Sequence, residues 1–221
     1  MEKIKVIKNV TAAFDVDAMK CFTPLCPAEL PVPDGQNIVD ELNAQAKFAR
    51  VRVGSKDAHS PDAEWVTHNP KEIATPIRPI NAGTIMNMDL YWPVHAVPGT
   101  MGFELLDGLP RPIDYDYFVW KGMEPDFHPY GACFHDLQDK FSTGVIEYLR
   151  GQGIVCVLAG GLAADYCLGI TALQLLKAKF KVIFNKTATR GITPAGTEAM
   201  IKKLEAMGAV TINNCQDLEL V

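Results

Sequence analysis

The chain contains no CxxC pair. Its six cysteines (Cys21, Cys26, Cys133, Cys156, Cys167 and Cys215) are scattered, so neither a zinc knuckle nor a disulfide framework is indicated, and most are expected to be reduced, buried thiols. No stretch reaches the roughly 18 consecutive apolar residues of a membrane span. The opening MEKIKVIKNV lacks the apolar core of roughly 7 to 15 residues that a signal peptide needs, so a soluble cytoplasmic protein is expected. Basic charge is also scarce: 21 Lys and Arg stand against 26 Asp and Glu, a formal net charge of -5 with no basic stripe. That argues against nucleic acid as a partner, because phosphate-backbone binding needs clustered cations. Internal repeats, low-complexity tracts and linkers are missing too, so residues 1–221 are expected to form a single domain.

What is present alternates. VTAAFDV (10–16), ARVRVGS (49–55), DYFVWK (116–121), IVCVLAG (154–160), FKVIFN (180–185) and AVTIN (209–213) are short β-prone runs, several of them apolar on both faces. Helical spacing lies between them. GQNIVDELNAQAKFA puts Ile38, Leu42, Ala46 and Ala49 on one face, and STGVIEYLRGQG runs from a Ser/Thr cap to glycines. DYCLGITALQLLKAKF repeats apolar residues at three and four, and TPAGTEAMIKKLEAMG opens on Thr193-Pro194 and closes on Gly208. The expected fold is therefore α/β: three layers, with a mostly parallel six-stranded sheet and helices on both faces. Residues 56–115, rich in Pro, Asp, His and Asn, show little periodicity, and so long a loop is usually functional or disordered.

Ligands of open α/β sheets bind beyond the carboxyl ends of the strands. Asp17 ends the first predicted strand, Asp57 and His59 follow the second, Lys121 ends the third, and Cys167 follows the fourth across the turn GGLAADYC. Any one of these alone reads as a turn, cap or core residue. Together they supply a nucleophile, a proton acceptor and an electrostatic activator. A cation and a helix N-terminus lower a thiol pKa, and Cys167 would have both in Lys121 and the helix it opens. Burial would lift Asp17 toward neutrality, and the backbone amides of Ala163 and Cys167 could hold an oxyanion.

The order of these motifs resembles the isochorismatase-like cysteine hydrolases, and within them the nicotinamidases, over most of the chain from Asp17 to Arg190. DAMKCF (17–22) is similar to the motif of the catalytic aspartate, VWKG (119–122) to that of the catalytic lysine, and GLAADYC (161–167) to the nucleophile motif, with a cis peptide before Ala163. TATRGI (187–192) is similar to a motif further downstream. The resemblance implies Asp17, Lys121 and Cys167 as the catalytic residues, with Ala163 and Cys167 forming the oxyanion hole. DAH (57–59) and WPVHAVPGT (92–100) resemble the two metal-binding segments, which implies Asp57, His59 and His95 as ligands of one divalent ion, zinc first, iron or manganese as alternatives. Glu64 and His68 are further ligand candidates that ordinarily read as solvated loop residues. His128 and His135 match no motif and read as surface or packing histidines. Phe22 and Trp92 match positions that pack on substrate, and Trp65 and Tyr130 could act likewise.

The implied activity is hydrolysis of nicotinamide, with pyrazinamide as a further substrate, through a thioester and in NAD salvage. Two alternatives stay open: a related amidase for another small amide or carbamoyl compound, and a non-catalytic ligand-binding relative. Family members are often homo-oligomers, but no segment here declares an interface. The chain departs from the family at Met19 (usually Gln), Cys21 (usually acidic), Ala58 (usually aromatic) and Ala96 (commonly Cys). None of these removes a reacting group, though lost polar support can weaken metal binding.

Overall fold

The computed structural model describes residues 3–78 and 87–221. Residues 79–86, within the long loop 56–115, lie outside the described residues. In chain order the regular elements are β1 (Ile4–Val6), β2 (Thr11–Val16), α1 (Val39–Ala46), β3 (Val51–Asp57), β4 (Tyr117–Lys121), α2 (Val145–Gly151), β5 (Cys156–Leu162), α3 (Cys167–Lys177), β6 (Lys181–Arg190), α4 (Pro194–Ala206), β7 (Val210–Ile212) and β8 (Leu218–Leu220). Six of the strands form one sheet in the order β4-β3-β2-β5-β6-β7, parallel throughout, as expected.

Every residue of β2 and of β5 is buried, which is why these runs are apolar on both faces. Alternation along the strands divides them between two layers. Val157, Ala159, Val182 and Phe184 pack with Val145, Leu149, Leu168, Leu175 and Leu204 of α2, α3 and α4. On the other face Cys156, Leu158 and Ile183 join Val6, Ile212 and Leu218, while Ile38 and Leu42 of the α1 region pack over Leu162 and Ala188. Helix ends follow local chemistry: Thr193 caps α4, its side chain accepting from Gly196 N, with Pro194 in the first turn.

Three features differ from the sequence expectation. The predicted helix at 35–49 divides into a 3-10 turn (Gly35–Ile38) and the shorter α1. The strand predicted at 180–185 continues to Arg190 as β6. β1 and β8 pair in parallel as a separate two-stranded sheet, and their three residues each are too short to show a period.

From β2 the chain steps outward through β3 to β4, then returns to the other side of β2 for β5, β6 and β7. The order therefore reverses between β2 and β5, which lie in register from Thr11↔Cys156 to Val16↔Gly161. The crevice beyond their carboxyl ends is the expected ligand site. Among the described residues no helix is long and apolar enough to cross a membrane.

Phe14, fully buried in the middle of β2, ties the central strand to the α2–α4 layer. Phe14→Ala is expected to cost about 3–5 kcal/mol of unfolding free energy, measured as a lowered urea midpoint.

Candidate active site

Three adjacent strand ends supply the charged groups. Asp17 follows β2 in the left-handed backbone region (φ 43°), a turn that Asp tolerates better than most residues. On neighbouring β3, the Ser55 hydroxyl donates to Asp17 Oδ1 at 2.6 Å, and Asp17 N reaches Ser55 Oγ at 3.2 Å. β3 ends on Asp57, and the β3–β4 register sets it opposite Lys121. Lys121 is fully buried: its Nζ lies 3.0 Å from Asp17 Oδ2, donates to Asp57 Oδ1 and to Pro129 O (3.3 Å), and stands 3.9 Å from Cys167 Sγ.

GGLAADYC brings up the thiol. At Gly161 (φ 129°) an added Cβ would sit 1.9 Å from Val16 O, so only glycine lets β5 press this closely on the end of β2. The Leu162–Ala163 peptide is cis. Asp165 accepts from Ile192 N and Thr193 N, both at 2.9 Å, and Thr189 Oγ1 donates to Gly161 O at 2.6 Å, so the downstream TATRGI segment clamps the turn. Tyr166 N and Leu168 N donate to Ala163 O, and the Ala163 and Cys167 amides take no part in these turn bonds. Cys167 is the first residue of α3, with Sγ 4.0 Å from Asp57 Oδ2. Asp17, Lys121 and Cys167, distant in sequence, thus meet at the switch point.

The electrostatics are uneven. Burial, helped by the Asp57 charge, lifts Asp17 to about 6 despite the opposing pull of Lys121 and the Ser55 hydrogen bond. Burial acts on Asp57 too, but Lys121 and His59 outweigh it and hold that carboxyl far below the usual range. Desolvation disfavours the Lys121 ammonium, yet the two carboxylates more than compensate and keep it charged. The Cys167 thiol is pushed well above its ordinary value: burial dominates, and the repulsion of Asp57 and Asp17 adds to it, against the attraction of Lys121. The cation expected from sequence to activate the thiol is present but outvoted.

Next to these groups lies a cluster of imidazoles. His59 N donates to Ala96 O at 3.1 Å, docking the WPVHAVPGT segment so that His59 and His95 stand with ring centroids 4.8 Å apart. Gly122 (φ 75°) makes room for the His59 ring, and its carbonyl bonds His59 Nδ1 at 2.9 Å. His95 Nδ1 bonds Pro93 O at 2.8 Å. Both rings therefore present Nε2 as the free nitrogen, as metal-ligating histidines do. His59 Nε2 lies 3.5 Å from Asp57 Oδ1 and, among the described residues, is buried without a hydrogen-bond partner. An orphaned nitrogen of that kind costs about 1–3 kcal/mol. His95 is pushed down to about 3 by burial and the neighbouring His59, so it is neutral and able to ligate. The donor set of two imidazoles and a carboxylate fits a divalent transition metal.

From sequence His128 reads as a surface or packing histidine. It is buried, and one ligand atom each from His59, His95 and His128 lie within 4.8 Å of one another. Glu64 and His68, the extra ligand candidates, are both exposed and outside this group. A pocket beside the cluster is lined by Phe22, Leu30, Asp57, Trp92, His95, His128, Tyr130, Ala163, Tyr166, Cys167 and Ile192. Phe22, Trp92 and Tyr130 thus face the pocket, whereas Trp65 packs edge-on against His59, its ring centroid 4.7 Å away. Trp92 Nε1 donates to the Tyr130 hydroxyl, which donates to Asp89, so these aromatics are fixed by hydrogen bonds. Ser55 and His128 carried no recognisable pattern, and Asp165 stood only as one residue of the GLAADYC motif, because their contacts are made across the fold.

A thiol at a helix start, with a carboxylate and an ammonium gathered at the switch point of a parallel sheet, defines a hydrolase-type site on a doubly wound α/β scaffold. The chain belongs to the isochorismatase family: the isochorismatase domain model matches residues 11–216. It is 27% identical over 183 residues to the nicotinamidase of Escherichia coli K12, covering 81% of this chain and 84% of that protein. In structure it resembles the Acinetobacter baumanii nicotinamidase/pyrazinamidase (TM-score 0.80, 26% identity, 92% of this chain and 96% of the other). A Pyrococcus horikoshii pyrazinamidase solved in complex with zinc is also similar (TM-score 0.70, 26% identity, 92% and 98%). The protein is accordingly an amidohydrolase that acts on an amide C–N bond.

Gly161→Ala is expected to disrupt the closing of β5 on β2, because the methyl group would collide with backbone rather than with a movable side chain. Loss of soluble folded protein, or a clearly lowered melting temperature, is the readout.

Proposed function

We propose that this protein hydrolyses nicotinamide to nicotinate and ammonia through a thioester on Cys167, in the salvage of pyridine nucleotides toward NAD. The observation that carries the reading is the meeting of Lys121 Nζ and Asp17 with Cys167 Sγ, which itself lines an aromatic pocket. Phe22, Trp92 and Tyr130 line the pocket with Cys167, so they would contact a flat ring whose carboxamide is turned toward the thiol.

Because the thiol is held protonated, attack requires its proton to leave as the C–S bond forms. Asp17, near neutrality and with a carboxylate oxygen within 4.8 Å of the sulfur, takes it. The carbonyl oxygen becomes an oxyanion facing the Ala163 and Cys167 amides. Asp17 returns the proton to the amide nitrogen, the C–N bond breaks and ammonia leaves. Water then adds to the thioester while Asp17 accepts its proton, and cleavage of the C–S bond releases nicotinate and restores the thiol. Lys121 stays charged throughout and steadies both carboxylates. Asp57, His59 and His95 would hold a divalent metal, zinc first with iron or manganese as alternatives, which when bound supplies a Lewis-acid anchor for the pyridine nitrogen. Pyrazinamide, with ring nitrogens of its own, is expected to be a second substrate.

Cys167→Ala should fold normally and release no ammonia from nicotinamide; ammonia at the parent rate would remove the nucleophile from this scheme. Chelation followed by dialysis should abolish turnover, and added zinc should restore it.

The acid limb of kcat/KM should report Asp17, which must be ionised to accept the thiol proton. Activity should therefore be full above about 6 and fall with pH below it, about tenfold per unit. Ser55→Ala removes a hydrogen bond that favours the charged carboxylate, so it should move this limb to higher pH. An unmoved limb would mean that another group titrates.

A further inference from the structure

We infer that His128 is a third imidazole ligand, completing with His59 and His95 a three-histidine face for a divalent transition metal. The inference rests on the metal reading of the site and extends it to a residue that lies on neither metal-binding segment.

Its placement is built rather than incidental. His128 N donates to Asn87 O at 2.7 Å, and Trp65 Nε1 donates to Phe127 O at 3.0 Å, so the peptide group that leads into His128 is pinned at both its carbonyl and its amide. Trp65 also packs on the imidazole, with centroids 4.2 Å apart. The ring is 4% exposed and lies 5.2 Å from the His59 ring and 6.0 Å from that of His95. Among the described residues its Nδ1 is buried without a hydrogen-bond partner, like Nε2 of His59. Packing histidines normally use their buried nitrogens. Three buried imidazoles with ligand atoms within 4.8 Å of one another, two of them carrying an orphaned nitrogen, are explained together by one cation. Asp57, whose Oδ1 is shared with Lys121, is left with less to give, which makes a third nitrogen donor useful. Three imidazoles favour zinc, cobalt or nickel over the harder manganese and magnesium.

The test uses the full-length protein stripped of metal. Zinc is titrated against a chromophoric chelator, and cobalt(II) binding is followed by its visible absorption, for wild type, His128→Ala, His128→Asn, His59→Ala and His135→Ala. His128→Asn keeps a polar side chain of similar girth, and melting curves establish which variants fold. Wild type and His135→Ala should bind zinc equally. Both His128 variants should lose more than about 100-fold in zinc affinity, beyond what removal of a group that merely supports a ligand costs. They should lose less for manganese and should show an altered cobalt spectrum.

Unchanged zinc affinity and cobalt spectrum in folded His128→Asn would overturn the inference and leave the metal reading intact, even if the KM for nicotinamide rose. A loss below tenfold with an unchanged spectrum would equally make His128 a packing residue. Failure of wild type itself to bind zinc or cobalt would overturn both the inference and the metal reading beneath it.

Discussion

The ammonium of Lys121, fully buried between Asp17 and Asp57, is the interaction on which the site depends. An isolated buried charge is prohibitively costly, and removing one partner of a buried pair typically costs about 3–5 kcal/mol. Here one cation steadies two carboxylates. Because the three groups stand at the ends of adjacent parallel strands, β2, β3 and β4, their meeting is fixed by sheet register. A slip of one residue would turn each side chain to the other face. The helices on both faces, by burying every residue of β2, enforce that register.

One cation cannot serve two acids equally, and the inequality assigns roles. Asp57 stays ionised at any working pH, whereas Asp17 sits near 6 and can carry a proton in both directions. Environments that push two carboxyl groups apart in this way are how one site runs acid and base chemistry together. The raised thiol fits the proposed scheme, in which Cys167 becomes nucleophilic only as Asp17 takes its proton. The sequence reading gave Cys167 two aids to a lowered pKa, Lys121 and the helix start, whereas the buried thiol is raised. The error lies in counting Lys121 as free to activate the sulfur when its charge is already committed to two oxygens.

The sequence was legible wherever a side chain's role follows from its position along a strand. Runs apolar on both faces announced the parallel sheet, and Asp17, Asp57, Lys121 and Cys167 fell at or just after predicted strand ends. Contacts made across the fold were illegible. Ser55 is an ordinary small strand residue until β2 lies beside it, and Asp165 is an ordinary turn residue until the 187–192 segment arrives. His128 sits in a segment with no period, and its depth comes from Trp65 and Asn87, far back in the long loop. The strands β1 and β8 were missed because three residues cannot express a period of two convincingly.

Asp57 joins the two halves of the site. It touches Lys121 and lies 3.5 Å from His59 Nε2 and 4.0 Å from Cys167 Sγ, so anything that alters charge at the histidines is felt at the sulfur through one carboxylate. The buried charges of Asp17, Asp57 and Lys121 sum to one negative charge in excess. A divalent cation among the histidines would reverse that excess and offset the repulsion that adds to burial in holding the thiol proton on. The loop that carries the histidines is thereby coupled to the nucleophile by electrostatics as well as by the pocket they both line.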